Sequence, residues 1–239
     1  LHMEDLDLYD VLDGAADTLR SFADNKNVVT CLQISPDVPR HIVSDAGRLR
    51  QVVINLMGNA IKFSRRPEDE APGFAMVQLS MAWPNVVKIV ISDDGIGIDP
   101  DFQKLLFEPF QQSEAVNKRR FGGSGLGLAI VAQLLEKLGG SISVESALGE
   151  GARFTILLPV VQPADADPNT LPQLEGYRVV LLDMPVKLVG LWHGWLSKTG
   201  ANFEFATRDE AIADPEKFAN ADAMIVNSIR MPREQLIDK

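Results

Sequence analysis

Two asparagines, Asn55 and Asn59, stand one helical turn apart in a stretch whose apolar residues recur at helical spacing. Winding residues 45–63 as a helix of about 100° per residue separates an apolar side from a polar side that carries both asparagines. Their amide oxygens could ligate one hard cation and their amide nitrogens could donate to phosphate, which suits Mg²⁺ bound with a nucleotide. A polar face that meets only solvent is the simpler alternative. The apolar side holds Leu49, Val53, Leu56, Met57 and Ala60, and the polar side also holds Arg48, Gln51 and Lys62.

A second candidate lies where a strand-like run at 86–92 leads straight into an acidic, glycine-punctuated turn at 93–98. A carboxylate fixed at the end of a strand can accept a hydrogen bond from an exocyclic amine such as that of adenine. The glycines of the turn would let the backbone approach a flat ring closely, although a simple tight turn uses the same residues. Asp93 is the better candidate for the amine contact and Asp94 the second.

A third candidate is a cluster of glycines and a serine, Gly123, Ser124, Gly125 and Gly127, at the start of a predicted helix. Free backbone N–H groups at a helix start form an anion site, whereas glycines in the same place could equally form a flexible hinge. The spacing matches neither the G-x-G-x-x-G fingerprint nor a Gly-Lys-Ser/Thr phosphate loop. The basic run at 118–120 could neutralise the β- and γ-phosphates of a nucleotide, or could simply be solvated.

Helices and strands alternate around these clusters, which predicts an α/β fold. The helix at 45–63 presents the asparagines, the strand at 86–92 ends at the acidic turn, and a helix at about 126–138 follows the glycine cluster. Gly139 and Gly140 fit the end of that last helix as C-cap glycines. The remaining elements of this part are a helix at 9–23, strands at 28–34 and near 76–81, and a hairpin at 141–146 and 152–158.

A proline-rich interval divides the chain. Residues 159–176 hold four prolines among aspartate and alanine, a composition that favours an extended linker. Beyond it, the pattern is β-α-β-α-β, which predicts a partial doubly wound parallel α/β domain of flavodoxin-like type. We therefore expect a first domain at 1–160, a linker at 161–176 and a second domain at 177–239. The second-domain strands are predicted at 178–182, 202–206 and 223–227, and its helices at 186–198 and 208–218.

Composition narrows the possible functions. The net charge of -10 argues against general binding to nucleic acid, whose phosphates are held mainly by lysine and arginine. The single cysteine, Cys31, cannot form an internal disulfide, which fits a reducing compartment. No apolar run approaches the length of a membrane span and no secretory signal opens the chain. We expect a cytoplasmic location without membrane contact by this part, compatible with a membrane anchor upstream in the parent protein.

The three clusters occur in a fixed order, with Phe107-Glu108-Pro109-Phe110 between the second and the third. This arrangement closely resembles the N, first glycine, F and second glycine boxes of sensor histidine kinases over residues 6–159. The resemblance implies a Bergerat-type two-layer α/β sandwich, shared with gyrase B, Hsp90 and MutL, with ATP and Mg²⁺ as ligands. It also implies a place in two-component signal transduction.

The resemblance further implies roles for individual residues. Asn59 would ligate Mg²⁺ with support from Asn55, and Asp93 would bind the adenine amino group. The segment 111–122 would be the mobile ATP lid, and basic residues near the phosphates would assist transfer. The residues with catalytic roles would be Asn55, Lys62, Arg119 and Arg120. The remaining cofactor-binding residues would be Phe63, Gly95, Gly97, Ile98, Phe107, Gly123, Ser124, Gly125, Leu126, Gly127 and Leu128.

The residue at position 55 separates kinases from hydrolases within this superfamily. Gyrase-like hydrolases carry a glutamate at this place, where it activates water, and an amide cannot serve as a general base. We therefore expect slow hydrolysis of ATP and transfer of the γ-phosphate to an external acceptor. None of His2, His41 and His193 looks like that acceptor, and His193 lies among apolar residues on a helix that is expected to face the core. The expected partners are a histidine-containing dimerisation domain, in cis or in trans, and a downstream response regulator or receiver domain, in a homodimeric parent.

The second domain resembles a degenerate response-regulator receiver. Receivers bind Mg²⁺ through an acidic pair after the first strand and are phosphorylated on an aspartate after the third; here these places read Asp183-Met184 and Asn227. Methionine cannot bind the metal and asparagine cannot form the acyl phosphate. We interpret this domain as a pseudo-receiver that serves as a docking or autoinhibitory surface, with a slipped alignment as the alternative.

Histidine kinase catalysis is the leading hypothesis for the whole chain. One alternative is an ATP-binding regulatory or interaction module that transfers no phosphate, which the intact boxes disfavour. The other is a gyrase- or Hsp90-like ATPase, which Asn55 disfavours.

Overall fold

The computed structural model describes residues 1–64, 71–111, 125–163, 172–184 and 186–226. The chain divides into two compact units, residues 1–169 and residues 170–239. The elements of the first unit are β1 (Glu4–Asp7), α1 (Leu8–Lys26), β2 (Val28–Ile34), β3 (His41–Ser44), α2 (Ala46–Phe63), β4 (Gly73–Trp83), β5 (Val86–Asp93), α3 (Pro100–Gln103), α4 (Gly127–Lys137), β6 (Ser141–Ala147) and β7 (Gly151–Pro159). Those of the second are β8 (Arg178–Leu182), α5 (Val186–Thr199), β9 (Asn202–Ala206), α6 (Arg208–Ala213), α7 (Pro215–Phe218) and β10 (Ala223–Val226).

A mixed five-stranded sheet forms one layer of the first unit. Its order is β2-β4-β5-β7-β6, with β2 parallel to β4 and the other pairs antiparallel. The register brings buried side chains of neighbouring strands onto one face, as in the row Leu79, Ile89 and Ile156. Helix α2 packs on the sheet and contacts both α1 and α4, which form the second layer with it. The expected two-layer α/β sandwich is confirmed.

Helix α2 is positioned by its N-cap and by its apolar side. Asp45 caps the helix, and its carboxylate accepts a hydrogen bond of 2.9 Å from the backbone N–H of Arg48. The apolar side is buried as predicted and is wider than predicted, because Val52 and Ile61 are buried as well. With that side against the sheet, the polar side that carries Asn55 and Asn59 is directed away from the core.

A two-stranded antiparallel sheet of β1 and β3 was not predicted from the sequence. The backbone N–H of Val43 also donates to the carbonyl of Val161 at 2.8 Å, so β3 is held from both sides. Each strand has only four residues, which is too few for an alternation of apolar and polar residues to identify it as a strand.

The second unit contains the predicted parallel sheet, in the order β10-β8-β9. The single helix predicted at 208–218 is wrong, because two short helices occupy this range. Asp214 caps the second helix by accepting from the N–H of Lys217, and Pro215 lacks the N–H that would continue the first. Helix α5 packs on the core of this unit through Leu196, Trp192 and Trp195, as predicted, and His193 is exposed with its ring edge-on to Phe203. None of the helices within the described ranges is both long and apolar enough to cross a bilayer.

Candidate nucleotide-binding site

The polar side of α2 forms one wall of the candidate site. Asn55, Asn59, Lys62 and Phe63 are all partly buried, whereas Arg48 at the start of the helix is exposed. The Lys62 ammonium lies 4.9 Å from the centre of the Phe63 ring. Burial, and to a lesser extent the charge of Lys26, lowers the pKa of Lys62. A lysine with reduced hydration can bind phosphate at a smaller desolvation cost.

The start of α4 lies beside Asn55. A Cβ atom built on Gly127 would stand 3.9 Å from the Asn55 side-chain oxygen, and α2 and α4 pack together. The side chain of the N-cap residue Leu126 does not cap α4, so the first turn offers backbone N–H groups of the kind that bind anions. The fold thus brings the asparagine cluster and the described part of the glycine cluster to one place.

Asp93, at the end of β5, forms the other end of the candidate site. Its carboxylate accepts from the backbone N–H of Gly95 at 3.0 Å and from that of Ala152. Burial raises the pKa of Asp93 to about 6, with a smaller contribution from the charge of Asp94. The Asp94 carboxylate instead accepts from the backbone N–H of Phe74 at 2.8 Å and so ties the turn to β4. The two neighbouring carboxylates therefore occupy different environments.

Gly95 and Gly97 allow protein backbones to approach one another. A Cβ atom on Gly95 would lie 1.7 Å from the Phe63 carbonyl oxygen, and the Ile96 N–H donates to that same oxygen at 3.2 Å. A Cβ atom on Gly97, whose φ is 71°, would lie 1.9 Å from the Ala147 carbonyl oxygen. The acidic turn therefore packs closely between the end of α2 and the β6–β7 hairpin.

Two residues that were not predicted from the sequence, Ser146 and Gln103, hold the turn in place through hydrogen bonds. The Ser146 hydroxyl accepts from the Ile98 N–H at 2.9 Å and donates to the Gly151 carbonyl at 2.6 Å. The Gln103 amide donates to the carbonyls of Ile98 and Ser146 at 2.8 and 2.9 Å. A polar residue facing a turn from a distant strand leaves no local signal in the sequence.

The described residues on either side of 112–124, a range that includes most of the predicted lid, contact each other. The Phe110 N–H donates to the Gly125 carbonyl at 3.2 Å, and a Cβ on Gly125 would lie 2.7 Å from the Gln111 carbonyl oxygen. Ile98, Phe107 and Leu128 pack partly buried against the core, and Leu126 is the N-cap residue of α4. The predicted residues Arg119, Arg120, Gly123 and Ser124, and residues 112–122 of the predicted lid, lie outside the described residues.

A pH-dependent stability follows from the buried carboxylate of Asp93. Because the pKa is about 6 in the folded chain against an ordinary value of 3.8, the folded state binds the proton more tightly. Lowering the pH from 7.5 to 5 is therefore expected to stabilise the native chain, by about 1 kcal/mol, relative to an Asp93→Asn variant that cannot titrate. Thermal melting of both proteins across this range measures the difference. A difference that stays constant with pH would contradict the assigned environment of Asp93.

Comparison with known proteins agrees with this geometry. Residues 44–162 match the family described as histidine kinase-, DNA gyrase B- and HSP90-like ATPase. The chain is 38% identical over 189 residues to the autoinducer 2 sensor kinase/phosphatase LuxQ of Vibrio vulnificus, covering 75% of this chain and 22% of that protein. It is 37% identical over 171 residues to hybrid signal transduction histidine kinase A of Dictyostelium discoideum, covering 64% of this chain and 8% of that protein. The chain thus spans less than a quarter of the length of these relatives.

Solved structures point the same way. Full-length ShkA in complex with AMPPNP superposes with a TM-score of 0.74 at 24% identity, covering 96% of this chain and 55% of that one, which shows a shared fold. The mycobacterial sensor histidine kinase MprB superposes with a TM-score of 0.56 at 30% identity, covering 68% of this chain and all of that one. The chain therefore belongs to the histidine kinase-, DNA gyrase B- and HSP90-like ATPase family, with an ATP-binding domain of the histidine kinase type.

Proposed function

We propose that the first unit binds Mg-ATP and transfers the γ-phosphate to a histidine of a dimerisation domain, as the catalytic domain of a hybrid histidine kinase in two-component phosphorelay. In this reaction the bond between the γ-phosphorus and the bridging oxygen breaks and leaves ADP. A phosphorus–nitrogen bond to the acceptor imidazole forms, and the imidazole loses its N–H proton.

The position of Asn55 carries this proposal. Its amide lies beside the start of α4, where the phosphates of a bound nucleotide would be held. A carboxylate at this position could take a proton from water and drive hydrolysis, but an amide cannot. The site is therefore suited to positioning the γ-phosphate for an external acceptor, which is most of what phosphoryl transfer requires.

Mg²⁺ fits the site as part of the nucleotide complex. No group of three or more histidine, cysteine, aspartate or glutamate residues in the described part of the chain could hold a metal ion. Mg²⁺ is commonly held by one or two protein oxygens together with substrate phosphates and water, and Asn59 would supply such an oxygen with Asn55 next to it. When bound, the ion neutralises charge on the β- and γ-phosphates. We assign Lys62, Arg119 and Arg120 to the same phosphates.

For the predicted second domain, residues 177–239 after a linker at 161–176, we propose a pseudo-receiver that docks a partner or inhibits the kinase. Asp183 supports this role, since its backbone is left-handed and its carboxylate accepts from the N–H of Arg208 at 3.0 Å. This carboxylate therefore holds the start of α6. Met184 packs partly buried against the apolar cluster of this unit. A downstream receiver would be the next partner, in a homodimeric and cytoplasmic parent.

Phosphotransfer to a separately purified dimerisation domain of a hybrid histidine kinase tests the proposal. With radiolabelled ATP and Mg²⁺, this chain is expected to place acid-labile label on the histidine of the added domain. Asn59→Ala should lower the rate about a hundredfold, which is about 3 kcal/mol of barrier, because one oxygen ligand of the ion is lost.

Gln51→Ala provides the matched control, because Gln51 lies on the polar side of the same helix two turns before Asn59. It should transfer phosphate at nearly the wild-type rate. Fast turnover of ATP without an acceptor would instead indicate a hydrolase. Tight binding of nucleotide with no transfer to any dimerisation domain would indicate a regulatory module.

A further inference from the structure

Ser146 is a polar residue on the inner face of strand β6. Alternate residues of a strand face the same side of a sheet, and Ile142 and Val144 pack partly buried against the core of the first unit. Ser146 follows them at the same spacing and is itself partly buried. A hydroxyl at such a position needs hydrogen-bond partners, because it has lost part of its contact with water. Those partners therefore indicate what the residue does.

The two hydrogen bonds of the Ser146 hydroxyl each have a fixed direction. The Ile98 N–H can only donate, so the hydroxyl oxygen accepts from it at 2.9 Å. The Gly151 carbonyl can only accept, so the hydroxyl proton is donated to it at 2.6 Å. The Gln103 amide donates to the carbonyls of Ile98 and Ser146 and keeps the turn next to the strand. Ser146 thus connects the acidic turn to the start of β7.

The Gly151 carbonyl belongs to the same peptide group as the N–H of Ala152. That N–H donates to the Asp93 carboxylate, which also accepts from the N–H of Gly95 at 3.0 Å. The hydroxyl of Ser146 and the carboxylate of Asp93 are therefore bound to opposite ends of one peptide group. Hydrogen bonds in such a chain polarise one another, so a bond donated to the carbonyl strengthens the bond that the N–H donates.

Close packing holds this peptide group beside Asp93. A Cβ atom built on Gly151 would lie 2.1 Å from the Asp93 carbonyl oxygen, and the φ of Gly151 is 82°. Strands β5 and β7 pair as far as Ser92 and Arg153, which brings the two segments next to each other. The peptide group has little room to turn, so the loss of a bond at its carbonyl is transmitted to the carboxylate.

We propose that Ser146 is a positioning residue for the contact between Asp93 and the adenine base. Its hydroxyl strengthens the hydrogen bond from Ala152 to Asp93 and so holds the carboxylate in the orientation that accepts from the adenine amino group. Ser146 acts through Asp93 and not by contact with the base. The inference rests on the proposed function, since it requires that Asp93 binds adenine.

Binding of AMPPNP and of its guanine counterpart GMPPNP tests this role. Ser146→Ala is expected to weaken binding of AMPPNP about fivefold, because one hydrogen bond of the chain is lost. Binding of GMPPNP, whose base has no amino group at the place that faces Asp93, should change by less than about twofold, so the preference for adenine falls. A purely structural role of Ser146 would weaken both nucleotides alike. Ser146→Thr keeps the hydroxyl and should restore the preference.

A carboxyl titration tests the same inference without a nucleotide. Loss of the Ser146 hydroxyl weakens a hydrogen bond to the charged form of Asp93, so Ser146→Ala should raise the pKa of that carboxyl above its wild-type value. Carbon-13 NMR of the carboxyl, assigned with Asp93→Asn, measures the pKa. The charge of Asp94, which also acts on Asp93, is the same in the Ser146 variants.

Ser143→Ala is the matched control, because it removes a hydroxyl from the exposed outer face of the same strand. It should leave the pKa of Asp93 and the nucleotide preference unchanged. Melting temperature shows that each variant is folded. Ser146→Cys, whose S–H is a weaker donor, should give changes of the same sign and replaces Ser146→Ala if that variant does not fold.

Two results would overturn the inference: the same pKa of Asp93 in the wild type and in Ser146→Ala, or equal weakening of AMPPNP and GMPPNP. Failure of the wild type to bind either nucleotide would instead overturn the proposed function. The carboxyl titration would still decide whether Ser146 acts on Asp93.

Discussion

Asp93→Asn is expected to weaken binding of an ATP analogue about a hundredfold. The Asp93 carboxylate is held by the backbone N–H groups of Gly95 and Ala152, which leaves acceptor capacity on its oxygens for an adenine amino group. A hydrogen bond to a charged acceptor in a buried setting contributes about 1.5–3 kcal/mol, and an amide that turns its NH₂ toward the adenine would add repulsion. Isothermal titration with AMPPNP and Mg²⁺ measures the loss.

Asp94→Asn is the matched control, because it changes the adjacent carboxylate in the same way. The Asp94 side chain accepts from the Phe74 N–H, and an amide oxygen can still accept that bond. We therefore expect affinity for AMPPNP within about threefold of the wild-type value. If Asp94→Asn lost the nucleotide and Asp93→Asn kept it, the adenine contact would have to be moved to Asp94.

Discrimination between bases gives a second measurement of the same contact. Guanine has a carbonyl oxygen where adenine has its amino group, so the Asp93 carboxylate should repel GTP and favour ATP. In Asp93→Asn the amide can donate to that oxygen, and the preference for ATP over GTP should shrink or reverse.

The helix and strand that carry the site could be predicted from the sequence because their periodicity is strong. The apolar residues of α2 recur at helical spacing over its whole length, and β2 was placed correctly at both ends. The short strands β1 and β3 and the short helix α3 were not predicted. Strands β1 and β3 form by pairing with each other, and they are far apart in the sequence. Such a pairing cannot be recognised from the residues of either strand alone.

The chemistry of the site was less predictable than its position. Asn55 and the start of α4 could be assigned to one site only through a resemblance, because their proximity depends on packing between two helices. The glycines of the acidic turn were expected to make room for a ligand ring, and this stays a prediction. Gly95 and Gly97 also make room for the carbonyls of Phe63 and Ala147, which no sequence pattern indicates.

The close approach of Gly97 to the Ala147 carbonyl predicts a large effect of substitution on the free energy of unfolding. Gly97→Ala is expected to lower the free energy of unfolding of the first unit by about 4 kcal/mol or more. An alanine with φ of 71° is strained by about 1–2 kcal/mol, and its Cβ would also lie 1.9 Å from the Ala147 carbonyl oxygen. The turn would have to separate from the β6–β7 hairpin, and the Ile98–Ser146 hydrogen bond would be lost with it.

Gly139→Ala separates the two causes, because Gly139 has nearly the same φ, 76°, but nothing within 4 Å of its added Cβ. It should cost only the strain of about 1–2 kcal/mol. Chemical denaturation measures the free energy of unfolding of both variants. The transition that belongs to the first unit is the one that AMPPNP shifts to higher denaturant concentration. Equal losses would mean that conformation alone requires glycine at position 97. A much larger loss for Gly97→Ala would mean that the contact with Ala147 determines the shape of the turn beside Asp93.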